Sequence, residues 1–126
     1  MDIKKEKVLC QKQWAKNKYL VLSYSSKIYL EIRTYLKQEE VSLEKVNKLI
    51  KQAINLPEDK GQVTNALHHV WGYFKKFATK EEKDNFFEMI EDYHINKTTK
   101  EDLIEEVKKL LEKYPNTYLE QSTFIN

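Results

Sequence analysis

The stretch TNALHHVWGYFKK, Thr64–Lys76, is the part of the sequence that most directly indicates a helical fold. At about 100° per residue, its apolar side chains recur on one side, as in a helix packed against a core. The predicted core stripe is Val63, Leu67, Val70, Phe74 and Phe77. The predicted polar face is Asn65, His68, His69, Gly72, Lys75 and Lys76, with Trp71 and Tyr73 at its two boundaries. We therefore predict a helix from about Glu58 to Ala78.

Similar patterns on either side of this segment predict five more helices. The first covers about Lys4–Tyr24 and buries Val8, Ala15, Tyr19 and Leu22. The second starts at Ser25 or Ser26, and the third covers residues 42–55 behind the cap residue Ser42. Capping boxes at Thr79–Glu82 and at Thr98–Glu101 open the last two.

The composition agrees with an all-α fold, because the 126 residues include only two glycines and two prolines. A β-rich domain of this size needs more turn residues. The segment after Pro115 is apolar at Tyr118, Leu119, Phe124 and Ile125, so we expect it to pack on the body. The prediction is one domain over residues 1–126, a single compact bundle of about six helices with an ordered C-terminal tail.

Several functional classes are disfavoured by the sequence. No apolar run is long enough for a membrane span or a signal peptide, so we expect a cytoplasmic protein. The single cysteine, Cys10, cannot form a disulfide framework or a cysteine-held cluster within one chain. His68 and His69 diverge on a helix, and neither they nor His94 have the spacing of a zinc motif. We expect no metal and no cofactor, and no catalytic motif is present.

Charge is distributed unevenly along the chain. Residues 1–37 contain nine lysines and arginines against three acidic residues, whereas residues 79–112 contain six lysines against eleven acidic residues. The basic part can attract phosphate groups, and the acidic part is typical of a solvated face. Arg33 is the only arginine, which disfavours bidentate recognition because lysine acts as a point charge.

Gly72 is unexpected inside a predicted helix, where glycine costs about 1 kcal/mol relative to alanine. It removes a side chain where another group must come close. One interpretation is a neighbouring helix crossing at Gly72, with Asn65 and His69 hydrogen-bonded between helices. The other interpretation is an anion or nucleotide pocket lined by Asn65, His69 and Lys76. The two interpretations are compatible if the pocket lies between the first and fourth helices.

Two tryptophans lie beside lysines, Trp14 near Lys18 and Trp71 near Lys75. One interpretation is that both tryptophans are half-buried and pack against neighbouring apolar side chains. The pairing of an aromatic ring with a cation is also typical of single-stranded or loop RNA binding. Both interpretations stay open at this point.

Three segments resemble the YbgA family. The stretch Thr64–Lys76 resembles its pattern TNxLxHxxGYFKK, and Lys18-Tyr19-Leu20 with Ser25 and Tyr29 resembles its pattern KYLxxxxSxxxY. The segment from Lys113-Tyr114-Pro115 to Gln121 resembles the family's ending. Asn17 and Val63 stand where the family often has histidine.

The resemblance implies a domain of unknown function that also occurs fused to the desulfidase domain of transfer RNA thiouridine desulfidases. There, the sulfur chemistry is assigned to the other domain. We therefore expect a non-catalytic helical domain that binds RNA, with transfer RNA as the ligand. The expected binding residues are Trp14, Lys18, Asn65, His69, Trp71, Gly72, Tyr73, Lys75 and Lys76, with Lys5, Lys12 and Lys16 contacting phosphates. The alternatives are a module that docks on a separately encoded desulfidase through its acidic helices, and a small enzyme using His69 as acid–base.

Overall fold

A computed structural model describes residues 2–126, and these residues form seven helices and no strand. The helices are α1 Ile3–Leu22, α2 Ser26–Tyr35, α3 Leu43–Ile54, α4 Lys60–Trp71, α5 Lys80–His94, α6 Lys100–Lys113 and α7 Thr117–Glu120. The predicted all-α bundle is confirmed. Over the same residues, none of the helices combines the length and the apolar character needed to cross a membrane.

Each helix begins after a side chain that accepts a hydrogen bond from a backbone N–H of the first turn. These cap residues are Asp2, Ser25, Ser42, Asp59, Thr79, Thr99 and Asn116. The predicted caps at Ser25 and Ser42 and the capping box of α5 are confirmed. The capping box of α6 is shifted by one residue, because it joins Thr99 to Asp102.

The helices enclose two apolar clusters, and α1 contributes to both. The first cluster joins α1, α2 and α3 around Cys10, Ile32 and Val46, which are fully buried. The second joins the end of α1 to α4, α5, α6 and the tail, with Leu67, Phe86 and Leu103 among its buried members. Helix α1 therefore packs against both apolar clusters of the bundle.

The segment after α6 packs on the body, as the sequence predicts. Leu119, Phe124 and Ile125 are buried in the second cluster. The tail also bonds to α1, because the Thr123 backbone N–H donates to the Lys16 carbonyl at 2.9 Å. The ordered tail thus closes the bundle over the second half of α1.

The predicted end of α4 is wrong. The helix ends at Trp71 rather than near Ala78, and Gly72 is its C-cap residue. Residues 72–78 form tight turns in which the N–H groups of Tyr73 and Phe77 donate to carbonyls three residues back. This change of path breaks the predicted core stripe beyond Phe74, so Phe77 is 65% exposed.

The predicted burial of Val8 is also wrong. It lies on α1 with 47% of its surface exposed, because the apolar contacts of this half of α1 are made through Cys10.

Candidate functional site

Three tyrosines from separate parts of the chain meet at one place. Tyr19 belongs to α1, Tyr73 to the turns after α4 and Tyr118 to α7. The hydroxyl oxygens of Tyr19 and Tyr73 share a hydrogen bond of 2.9 Å. The rings of Tyr73 and Tyr118 are stacked with their centroids 5.8 Å apart, and Tyr19 meets each of them edge-on. Each ring lies in one of the three segments that carry the resemblance.

The C-terminal tail holds Tyr118 in a fixed position against α1. The Tyr118 hydroxyl donates to the Ala15 carbonyl at 2.7 Å. Farther along the tail, the Thr123 hydroxyl lies 2.7 Å from the Asn17 amide oxygen. Burial, followed by the neighbouring Tyr73 and Tyr29, raises the pKa of Tyr118 to about 12. Its hydroxyl therefore stays protonated at neutral pH and keeps its hydrogen bond to α1.

Two depressions adjoin Tyr118, and Ala15 also lines both of them. The first has a volume of about 280 Å³ and is lined by Lys12, Ala15, Lys16, Tyr118 and Gln121. The second has a volume of about 320 Å³ and is lined by Gln11, Trp14, Ala15, Lys18, Arg33, Leu36, Lys37 and Tyr118. We call the two depressions together the α1 surface. Five of its side chains are cationic and none is a carboxylate.

The cations of the α1 surface are unpaired among residues 2–126. All four ion pairs in that range use lysines of α6 instead. Within the α1 surface, the Lys18 ammonium lies 5.2 Å from the ring centre of Tyr19 and 5.3 Å from that of Tyr118, as in a cation–π contact. The positive charge of this surface is therefore available to an anion.

Three other depressions in the described part of the chain include acidic side chains. One beside α3 contains Glu31 and Glu44. Another follows α5 past Glu81, Asp84 and Glu88. A third, at the start of α1, is lined by Asp2, Ile3, Lys4, Lys7 and Glu39. The absence of carboxylates thus distinguishes the α1 surface from these three.

The two tryptophans occupy different environments. Trp14 is half-buried, lines the second depression and packs against Tyr29 with ring centroids 5.3 Å apart. Trp71 is only 6% exposed and stacks on Phe86 at 5.3 Å. The packing interpretation holds for Trp71, and its buried ring offers no free face to a base.

The predicted polar face of α4 is solvent-exposed. Asn65, His69, Gly72, Lys75 and Lys76 are all exposed. The His69 ring lies near the tyrosines, with its centroid 6.4 Å from that of Tyr19. None of these side chains lines the α1 surface, so the structure does not join them into one pocket with Lys18.

Gly72 does not mark a crossing of two helices. A Cβ atom at this position would meet the His69 carbonyl oxygen at 3.1 Å, and no backbone of another helix comes nearer. The space that the missing side chain leaves belongs to the turn that ends α4.

The lining residues that are not among the predicted binding residues include four with amide or cationic side chains: Gln11, Arg33, Lys37 and Gln121. For Tyr118 the sequence predicts only that it packs on the body with the tail. Arg33 lies in the last turn of α2 and Lys37 follows the end of that helix. Two cations four positions apart are a pattern that could have identified them. Lys5 lies outside the α1 surface.

The remaining histidines make structural contacts. The ring of His68 meets Phe87 edge-on at 5.3 Å, and His94 Nε2 shares a hydrogen bond of 2.8 Å with Thr64. Across residues 2–126, no three His, Cys, Asp or Glu side chains are grouped as metal ligands.

The sequence was also compared with known proteins. Searches of curated proteins and of solved structures gave no significant match. A family model described as "Protein of unknown function (DUF1722)" matches residues 18–126, which include all three segments of the YbgA-like resemblance. Lys12, Trp14 and Lys16 precede the matched region, so the α1 surface combines residues from inside and outside it. Because the match covers most of the chain, this protein belongs to the DUF1722 family.

Proposed function

We propose that the chain binds single-stranded or loop RNA through the α1 surface. The observation that carries this proposal is the pair of depressions around Tyr118, lined by five unpaired cations and no carboxylate. Unpaired lysines and arginines attract phosphates, and binding releases the counterions of the nucleic acid.

Aromatic rings in the same depressions favour an unpaired strand over a duplex. Trp14 and Tyr118 are half-buried, so each ring is held in place while part of it faces solvent. Exposed bases stack on such rings, whereas the bases of a duplex are already stacked on each other. Only one of the five cations is an arginine, so we expect contacts that read the backbone more than the sequence.

The RNA we propose is transfer RNA, and the role is that of an accessory domain in thiouridine desulfidation. This part of the proposal rests on the YbgA-like resemblance alone. The only thiol of the chain, Cys10, is buried in the first apolar cluster and does not line the α1 surface. The proposal therefore assigns RNA binding to this chain and the sulfur chemistry to a separately encoded partner.

The experiment is fluorescence-anisotropy binding of bulk transfer RNA over a salt series, with and without thiolated uridine. We compare wild type with Arg33→Gln, and use Lys27→Gln as the matched control. Lys27 is an exposed cation of the same helix that does not line the α1 surface. We expect the slope of log K against log salt to fall by about one for Arg33→Gln and to stay unchanged for Lys27→Gln.

Two outcomes would contradict the proposal. If wild type does not bind at low salt, the chain does not bind RNA, and the acidic helices become the surface to test with a desulfidase partner. If Arg33→Gln and Lys27→Gln weaken binding equally, RNA binds by overall charge and not at the α1 surface. A preference for the thiolated pool would support the desulfidation part.

A further inference from the structure

The most exposed large apolar side chain described by the structure is Phe77, at 65%. It lies in the turns of residues 72–78, directly after the exposed Lys75 and Lys76. One face of its ring stacks on Tyr114, with centroids 6.4 Å apart and an angle of 23° between the planes. The other parts of the ring face solvent, so Phe77 and Tyr114 form an aromatic platform at the surface.

Hydrogen bonds hold the Tyr114 side of this platform in place. The Tyr114 hydroxyl donates to Glu82 Oε1 at 2.6 Å. The same carboxylate accepts the Thr79 backbone N–H at 2.8 Å and pairs with the Lys113 ammonium at 3.2 Å. Because Tyr114 is fixed by this network, a ligand that stacks on the platform has little ring motion to immobilise.

The platform lies beside the α1 surface. Tyr73 stacks on Tyr118, and Phe77 stacks on Tyr114. In each segment the two stacked residues are four positions apart, so residues 73–77 run alongside residues 114–118. Four residues span at most about 14 Å, which places the platform within reach of a strand bound at Tyr118.

The charges around Phe77 match a polyanion. Lys75 and Lys76 precede it and form no ion pair within residues 2–126. The carboxylate nearest the platform, Glu82, is engaged by Lys113 and Tyr114. An exposed aromatic ring beside two unpaired lysines combines the two features of single-strand binding, a stacking surface and cations along the backbone.

We propose that Phe77 and Tyr114 hold a further base of the strand that occupies the α1 surface, while Lys75 and Lys76 contact its phosphates. This inference rests on the proposed RNA binding and extends it to a second, neighbouring position. Longer single strands reach both positions, and short ones reach only one.

The test measures the affinity of labelled oligouridines of about 2 and about 12 nucleotides, the longer of which lies within the range of known single-strand sites. Phe77→Ala is compared with Phe77→Trp, which keeps a stacking ring. The control is Ile95→Ala, since Ile95 is also 60% exposed but follows α5 in a different part of the chain. Circular dichroism checks that each variant is folded.

We expect Phe77→Ala to weaken binding of the longer strand by about 5- to 150-fold, the range for the loss of one stacked base. Its salt slope should stay unchanged, because phenylalanine contacts no phosphate. Phe77→Trp should restore the affinity, and binding of the shorter strand should change little. Lys75→Gln with Lys76→Gln should instead lower the salt slope.

Two results would overturn the inference, and they are distinguishable. If wild type binds the longer strand and Phe77→Ala behaves like Ile95→Ala, the platform is not a base-binding position, while the α1 surface keeps its proposed role. If wild type binds neither strand at low salt, the proposed function fails and the inference fails with it.

Discussion

At the scale of single residues, Gly72 ends α4 without using the conformational freedom that is special to glycine. Its backbone angles are φ −53° and ψ −25°, which any residue can adopt. The only tight contact of an added Cβ is the His69 carbonyl oxygen at 3.1 Å. Glycine is therefore not required here by backbone conformation.

We predict that Gly72→Ala changes the free energy of unfolding by less than about 1 kcal/mol. Alanine reduces the freedom of the unfolded chain, which stabilises by about 0.4–1 kcal/mol, and the tight contact opposes this gain. Urea denaturation of both proteins measures the difference. A loss of clearly more than about 1 kcal/mol would contradict this prediction and would indicate that another part of the protein packs closely on Gly72.

The aromatic residues illustrate what sequence patterns could and could not assign. The helical pattern predicts Trp71 at the boundary of a face, yet Trp71 is buried against Phe86. The same pattern predicts Phe77 in the core, yet Phe77 is exposed. The assignment of Phe77 assumes one continuous helix, and a helical projection loses its phase once the backbone leaves the helix at Gly72. Trp71 still belongs to α4, and its burial comes from contact with Phe86 of α5, which a projection of α4 alone does not include.

At the scale of the elements, Glu82 ties the start of α5 to the end of α6. Hydrogen bonds from Tyr114 first, then from the Thr79 backbone and Lys113, lower the pKa of Glu82 from 4.5 to about 2. A carboxylate whose pKa is lower in the folded state stabilises the fold above its unfolded pKa. That contribution is lost as the pH falls through the folded pKa.

We therefore predict that wild type is more stable than Glu82→Gln at neutral pH, and that the difference shrinks as the pH falls from about 4.5 to about 2. Urea denaturation at several pH values measures it. The control is Glu88→Gln, an exposed carboxylate on the same helix without an ion pair among the described residues. An equal pH dependence for both variants would show that Glu82 does not link the two helices.

The starts of the helices could be predicted better than their ends. Caps such as Ser25, Ser42 and Thr79 act on backbone groups two or three residues away, so the information is local. The end of α4 could not be found this way. The tight turns after it carry Tyr73, which stacks on Tyr118 from another part of the sequence.

At the scale of the whole molecule, the tail completes the second apolar cluster. Leu119 is fully buried there, so its removal leaves a cavity among residues of several helices. We predict that Leu119→Ala lowers the free energy of unfolding by about 2–5 kcal/mol. Leu30→Ala is the control, because Leu30 is 54% exposed and its loss should change stability by less than about 0.5 kcal/mol.

Urea denaturation measures the free energy of unfolding of both variants, with the same dependence on urea concentration used for each. If Leu119→Ala were as stable as Leu30→Ala, the tail would not be part of the cooperative core.

The two depressions could not be predicted as a unit. Lys12 and Gln121 line the same one although they lie at opposite ends of the described chain. The charge distribution indicates that residues 1–37 are basic. The apolar side chains after Pro115 indicate that the tail packs on the body. The place where it packs depends on bonds such as that from Tyr118 to the Ala15 carbonyl, which no spacing in the sequence encodes.

The bond between Thr123 and Lys16 also bears on the order of events during translation. The two residues are 107 positions apart, so a ribosome needs about 5 to 20 seconds to pass from one to the other. Helices form within microseconds of their residues becoming free. A nascent chain therefore contains the residues of its first helices long before Tyr118 and Gln121 arrive, and during that interval both depressions lack Tyr118. Only chains translated past Gln121 contain every lining residue of both depressions, so a ligand that needs all of them cannot bind before that residue has been made.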